Sequence, residues 1–272
     1  MSSSLEDIEF LARSPHRVEV LEALADAPRT RHELKERADV SRITIRRLLE
    51  DLEDRGWIEH HNGQYEATAG GRVAAREFAR LQSNLSVADR LDDALEWLPT
   101  EEFDFDLAYL DTADVLPSES WESQTEVIRH AADLVDGTQM IEGTAIGFSH
   151  EVVGEIRDHV VAGNGEFEVV IDETCLRMIQ NDSGLRERFH DMLASGNAIL
   201  HRYHGEAPLH MVIAFDDLVS ICGHVDEGPP PGALESTEPT VLDWAQSYFE
   251  QARAASEPID IEVLAPEAQE SS

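Results

Sequence analysis

Residues 39–58, Asp-Val-Ser-Arg-Ile-Thr-Ile-Arg-Arg-Leu-Leu-Glu-Asp-Leu-Glu-Asp-Arg-Gly-Trp-Ile, constrain the fold more than any other stretch. Ser41 is a good N-cap, because its hydroxyl can accept a bond from a first-turn backbone N–H. Apolar residues follow at Ile45, Leu48, Leu49 and Leu52, the i, i+3, i+4, i+7 pattern of one helix face. Gly56 stops the helix at a position that tolerates positive φ. Arg42, Arg46 and Arg47 lie mostly off the apolar stripe, in the N-terminal half. Glu50, Asp51, Glu53 and Asp54 crowd the C-terminal half. That order opposes the helix dipole, which favours acids first and bases last. A group outside the helix is expected to take the arginines, and a polyanion is the simplest candidate.

The neighbouring segments suit a polyanion. Thr30 to Ala38 reads as a short helix with Thr30 as cap and Glu33 at N3, a capping box. Asp39-Val40 then leads directly into the Ser41 helix. Two helices joined this closely, the second with exposed arginines near its start, form a helix-turn-helix whose second helix lies in a major groove. Asn62-Gly63 inside Ile58 to Thr68 is a strong hairpin signal and predicts a wing.

The string DVSRITIRRLLEDLEDRGWIE…NGQYEATAGG, within residues 5–70, resembles the winged helix-turn-helix domain of archaeal and bacterial transcription regulators. The resemblance implies double-stranded DNA as partner. It puts Arg42, Ile43, Arg46 and Arg47 at base edges, Ser41, Thr44 and Arg31 at phosphates, and His60, His61 and Asn62 at the wing tip. The alternative is a winged helix that docks proteins and no DNA, since function lives in the site and not in the fold.

Charge argues against nucleic acid at first sight. The 272 residues carry 56 acids and 21 bases, a net charge of −35. Residues 1–98 hold 14 bases and 20 acids, a net of −6, and the remainder 7 bases and 36 acids, a net of −29. A basic patch survives at 29–47, with seven bases and three acids. Lys35 is the sole lysine. A dense carboxylate surface with almost no lysine resembles the proteins of extreme halophiles, where molar salt shortens the Debye length to about 3 Å and screens self-repulsion. The acids are spread and 42% of residues are hydrophobic, so a disordered acidic chain is not expected. No apolar run reaches membrane-spanning length. The first residues lack a signal-peptide pattern, and the two cysteines, Cys175 and Cys222, suit a reduced, cytoplasmic protein. One disulfide or a redox-sensing pair is the alternative.

Along the chain, helices are predicted at Leu5–Leu11 and Pro15–Ala27, the latter with Val18, Leu21 and Leu24 inward. A long helix runs from Ala69 to Trp97. In it Leu81, Leu85, Ala88, Leu91, Leu95 and Leu98 form a nearly coiled-coil stripe. The stripe predicts a homodimer seam, with packing on a second domain as the alternative. Pro99 to Glu102 reads as the boundary. Strands are predicted at Phe103–Leu110, Gln139–Ile146, Phe167–Ile171, Ala198–His201, His210–Phe215 and Leu218–Cys222. Helices are predicted at Trp121–Val135, Ser149–Ala162, Thr174–Gln180, Leu185–Ser195 and Pro239–Ala255. Gly228 to Gly232 reads as a rigid loop. The mostly βαβα order predicts a largely parallel sheet with a late antiparallel hairpin.

This half also resembles a known family. The strings GTAIGFSHEVVGEIRDHVVAGNGEFEVVIDETCLRMI, MLASGNAILHRY and LVSICGHVDE, within about residues 120–255, resemble the ligand-sensing middle domain of the archaeal methanogenic-filament regulator family. That domain is phospholipase-D-like, an α/β sandwich without the catalytic motif. The resemblance implies a small-molecule effector or a role in oligomerisation.

Residue inventory bears on catalysis. Phospholipase-D chemistry needs a His–Lys pair in each half, and Lys35 lies in the N-terminal domain. The same count removes Schiff-base and P-loop lysines. Gly143 to Gly147 lacks dinucleotide spacing, and no G-x-S-x-G elbow appears. No enzyme activity, catalytic residue or cofactor is expected. His201, His204, His210, Cys222 and His224 offer imidazole and thiolate ligands, and a metal-responsive regulator is the alternative, although no zinc spacing is matched. The fold class expected is α+β and multidomain, an N-terminal winged helix-turn-helix plus a C-terminal α/β sandwich-like effector domain. Its parts are a DNA-binding domain at 1–70, a linking or dimerisation helix at 71–100, an effector-sensing domain at 101–256 and an acidic flexible tail at 257–272.

Overall fold

The computed structural model describes residues 4–117, 121–223 and 232–264. The chain divides into two compact units, Met1–Ser86 and Val87–Ser272.

The first unit is a winged helix. Helices α1 (Ser4–Ala12), α2 (Pro15–Asp26), α3 (Arg31–Arg37) and α4 (Arg42–Asp54) precede the hairpin of β2 (Ile58–His61) and β3 (Gln64–Ala67). A two-residue strand, β1 (Arg29–Thr30), adds to β3, so the wing sheet has the order β1-β3-β2. β1 is too short to leave a period-two signal, and sequence reading missed it. Leu21, Leu24, Leu34, Ile45, Leu49 and Leu52 form a fully enclosed core. The expected caps are present. Thr30 and Glu33 make the reciprocal capping box, and the Thr44 amide donates to the Ser41 hydroxyl at 3.1 Å. Gly56 sits at φ 70° after α4. Asn62 and Gly63, at φ 51° and 82°, turn the hairpin.

Helix α5 (Ala69–Leu91) begins in the first unit and continues in 3₁₀ form through Asp92–Glu96. The expected continuous α-helix to Trp97 therefore ends at Leu91. The stripe on it divides. Leu85 and Leu81 are 58% and 41% exposed, whereas Leu91 and Leu98 are buried with Val87 in a core of the second unit.

That unit is an eight-stranded mixed sheet of order β11-β7-β6-β5-β8-β9-β10-β4. Its strands are β4 (Asp114–Pro117), β5 (Met140–Ala145), β6 (Glu166–Ile171), β7 (Ala198–Tyr203), β8 (Met211–Phe215), β9 (Leu218–Cys222), β10 (Gly232–Ser236) and β11 (Ser256–Pro258). Only the β5–β6 and β6–β7 pairings are parallel. The expected largely parallel sheet is thus corrected to a mixed one. The helices α7 (His150–Val161) and α8 (Glu173–Asn181) with α9 (Ser183–Ser195) make the two crossovers; the other pairings are antiparallel, with β8–β9 a tight hairpin and β5–β8, β10–β4 and β11–β7 joining distant segments. With them α6 (Trp121–Asp133) packs on one face, and α10 (Pro239–Ala254) packs on the other.

Three further readings are revised. Residues 103–106 are irregular and Leu107–Leu110 is a 3₁₀ turn, not a strand. The alternating aromatics there serve another purpose, because Phe103 and Phe105 stack at 4.7 Å and both meet the Trp244 ring edge-on. The tail does not begin at 257, since β11 pairs with β7 and Leu264 is fully buried. Gly232 starts β10, while the Gly228 to Pro231 part of the expected loop lies outside the described residues.

Candidate nucleic-acid interface and an apolar cavity

Helix α4 presents two faces because its stripe is buried and everything else is not. Arg42, Ile43, Arg46 and Arg47 are exposed, and Ile43 is 62% exposed on the side away from the core. Arg46 lies 3.6 Å from Glu50, a weak exposed pair. Neither Arg42 nor Arg47 has an ion pair among the described residues. The reversed charge order of the helix is partly answered inside the domain. Asp51 accepts from Arg17 at 3.0 Å, and that guanidinium also donates to the Phe10 carbonyl and lies over the Phe10 ring. Arg55 pairs with Asp7 over the opposite side of the same ring. Asp51 therefore has a place in the core's rim, while Glu50, Glu53 and Asp54 and the arginines of the first half are exposed.

Other expected interface residues have acquired structural duties. The Ser41 and Thr44 hydroxyls lie 2.8 Å apart, and Ser41 caps α4. Arg31 donates to the Tyr65 hydroxyl at 3.0 Å, which raises its pKa and ties α3 to the wing. His60 packs on the Tyr65 ring with centroids 4.4 Å apart. His61 sits 3.3 Å from Glu59, and Asn62 is exposed at the turn. Arg29, counted in the basic patch, is committed to the Ala23 carbonyl and to Asp26. Glu59 and Glu66 stand directly opposite on the wing and bring negative charge to its ladder, and His60 and His61 follow at the end of β2.

The alternative metal ligands do not converge. His201 faces α10, bonded to Glu168 at 2.7 Å, and shares that face with Val170. Cys222 pairs with Met211 on the opposite face of the sheet. His204 pairs with Glu257 on β11, His210 lies beside Tyr248, and His224 falls outside the described residues. Among the described residues no three metal-capable side chains come together. Burial pushes the Cys222 thiol up to about 11 and raises Cys175 further, so both stay protonated near neutral pH.

Sequence reasoning missed a cavity of about 600 Å³ in the second unit. Val127, Ile128 and Ala131 of α6 form one wall, Met211, Ile213 and Phe215 of β8 another. Ala145 at the end of β5, Ile146 to Ser149 after it, His150 and Val152 of α7, Met178 of α8, Ser220 and Cys222 of β9, Gly223 and Gly232 complete it among the described residues. Asp182, which caps α9 and accepts from His150 at 2.9 Å, holds that imidazole at the rim. Backbone bonds from Leu185 keep the Asp182 carboxyl below its usual range. The cavity was illegible in sequence because its described wall is assembled from seven separate elements, each of which reads there as ordinary core.

Among the described residues no helix is long and apolar enough to cross a membrane. No curated protein matches the chain. Among solved structures, it is similar to TrmBL2, titled an archaeal chromatin protein with a novel mode of DNA binding, at 12% identity over 94% of this chain and 100% of that one, with a TM-score of 0.42. It is also similar to the phospholipase D family member Nuc from Salmonella typhimurium, at 11% identity, 54% and 97% coverage and a TM-score of 0.40. NucT from Helicobacter pylori matches at 13% identity, with the same coverage and score. Likenesses this distant carry no argument here. The family matches are firmer: residues 5–90 match the HVO_A0261 N-terminal domain, and residues 125–255 match the middle domain of the methanogenesis regulatory protein FilR1. Between them these matches span most of the chain, which joins a domain of the HVO_A0261 N-terminal type to one of the FilR1 middle-domain type.

Proposed function

We propose that this protein is a sequence-specific DNA-binding transcriptional regulator whose C-terminal domain senses a small-molecule effector. In this reading α4 lies in the major groove, the tip of the wing rests on the backbone, and two copies bind two half-sites. One observation carries it. Ile43 stands 62% exposed among Arg42, Arg46 and Arg47 on a helix whose buried stripe is already complete without it. An apolar side chain among arginines suits the groove floor, where thymine methyls lie beside guanine acceptors. The effector half of the reading is supported by the cavity in the domain that matches the FilR1 middle domain. The dimer half is supported by the exposed Val73, Leu81 and Leu85 of α5. The excess of acids over the whole chain is read as adaptation to molar salt.

A mobility-shift assay in molar KCl, with the gene's own upstream region and a scrambled duplex of equal length, tests the reading. Retention of the upstream fragment at protein concentrations that leave the scrambled duplex free is expected. Equal retention of both, or of neither, sinks sequence-specific regulation and favours a winged helix that docks proteins.

A further inference from the structure

The cavity has a composition that specifies its ligand. The chain is 28% Asp, Glu, Lys and Arg, yet none of these types is among the described residues that line it. At that frequency a random wall of this size would carry about five charges, so the described part of the wall is selectively uncharged. A charged ligand would leave water without a partner, at a cost of several kcal/mol. The net charge of −35 adds repulsion for any anion approaching at low salt. Val127, Ile128 and Ala131 are only half-buried although they face the sheet, because among the described residues no side chain fills the space before them. A volume near 600 Å³ falls in the range that encloses a drug-sized molecule.

The polar groups are few and one of them is short of a partner. Ser149 spends its hydroxyl on the Glu151 amide, and His150 is engaged by Asp182. Ser220 is 7% exposed, and its hydroxyl is met by the Cys222 sulfur at 4.0 Å, the limit for any sulfur contact. Buried hydroxyls are ordinarily satisfied at much shorter range. Ser220 is therefore the point on the wall where a ligand oxygen or nitrogen gains most.

We propose that this cavity binds an uncharged, largely apolar small molecule carrying one hydrogen-bonding group, seated against Ser220 with its apolar body between α6 and β8. The proposal rests on the effector reading above and narrows it to one ligand class. Anionic metabolites, sugars with many hydroxyls and amines protonated at neutral pH are disfavoured by the same described wall.

The test uses the full chain in molar KCl and N-phenyl-1-naphthylamine, a neutral three-ring arylamine with one N–H donor. The expected result is saturable fluorescence enhancement at one site per chain. Ala131→Phe, which fills the space from the α6 wall, should weaken it tenfold or more without lowering the melting temperature. Ser220→Ala should weaken it about three- to tenfold, the worth of one neutral hydrogen bond. The probe should also slow modification of Cys222 by N-ethylmaleimide, since Cys175 is fully buried and Cys222 lines the cavity. Enhancement that survives Ala131→Phe in a folded protein, or equal binding by the anionic analogue 1-anilinonaphthalene-8-sulfonate, overturns the ligand class. If the variants behave as expected but saturating probe leaves the affinity for the upstream DNA unchanged, the ligand class stands and the effector reading fails.

Discussion

At the residue scale the exposed arginines of α4 make the sharpest claim. Replacing Arg47 or Arg46 by Ala should cost about 1–3 kcal/mol at the operator and flatten the preference over random DNA, because a bidentate fork to guanine is lost. Equal losses on operator and random duplex, by titration in molar KCl, would place the guanidinium at a phosphate instead. Arg47→Lys should also weaken the operator complex, since a point charge cannot make the fork. Glu142 makes a separate claim about pH. Burial, then Glu168 and Glu250, raise its pKa, with Arg253 opposing. A carboxyl with a raised folded pKa weakens the fold when ionised, and the penalty is relieved as pH falls through that folded value. Glu142→Gln should therefore raise the melting temperature at pH 7 and change it little near pH 4; no difference at pH 7 would remove the destabilising role. What could be read in sequence at this scale was local. The Ser41 and Thr30 caps were legible because capping acts over three residues. The Arg31 bond to Tyr65 and the Asp51 bond to Arg17 each join positions 34 apart, and periodicity holds no record of such pairs.

At the scale of elements, α4 and the wing hairpin were legible because stripe, cap and turn signals agreed within one segment. Residues 103–110 were not, because alternating Phe103, Phe105 and Leu107 imitate a strand while the aromatics pack on Trp244 of a helix far along the chain. β10 and β11 carry no alternation, being fully buried in one case and three residues long in the other. The start of α5 shows how closely elements are fitted. A methyl on Gly71 would lie 1.9 Å from the Trp57 carbonyl oxygen, whereas one on Gly70 meets only the Thr68 hydroxyl at 3.8 Å. Gly71→Ala should cost about 1–3 kcal/mol by forced overpacking, and Gly70→Ala should be neutral or slightly stabilising through helix propensity. Urea melts of the two variants compare them directly, and equal midpoints would show that the backbone yields. The exposed half of the α5 stripe belongs here too. Leu81→Asp with Leu85→Asp should give a folded monomer by light scattering; a dimer that persists would put the seam elsewhere. Leu91, buried in the second unit's core, is unsuited to this test because charging it would disrupt folding.

At the scale of the whole molecule the charge is the dominant fact, and it sets a prediction opposite to the usual one. DNA binders ordinarily lose affinity as salt rises, because the gain from released counterions shrinks in proportion to phosphates neutralised. Here residues 29–47 offer seven bases and three acids, but Arg29 is already occupied and the rest of the chain is strongly acidic. At 0.1 M salt the Debye length is about 10 Å, so carboxylates well beyond the contact surface still repel the duplex. At 1 M it is about 3 Å, and those distant charges fall silent. Direct Arg–phosphate contacts, at about 2.8 Å, lie inside even that length and are screened last. The fold gains as well, since carboxylates such as Glu59 and Glu66, opposed across the wing, repel less when screened. Operator affinity should therefore rise as KCl increases from 0.1 M and persist above 1 M, with circular dichroism followed in the same samples to separate binding from folding. The wing offers an internal control. Glu66→Gln removes one of the opposed charges, so it should raise affinity at 0.1 M and have little effect at 2 M. A steady loss of affinity from 0.1 M upward, with the fold intact throughout, would mean that the arginines act as an ordinary counterion-releasing patch and that the acidic surface plays no part in binding.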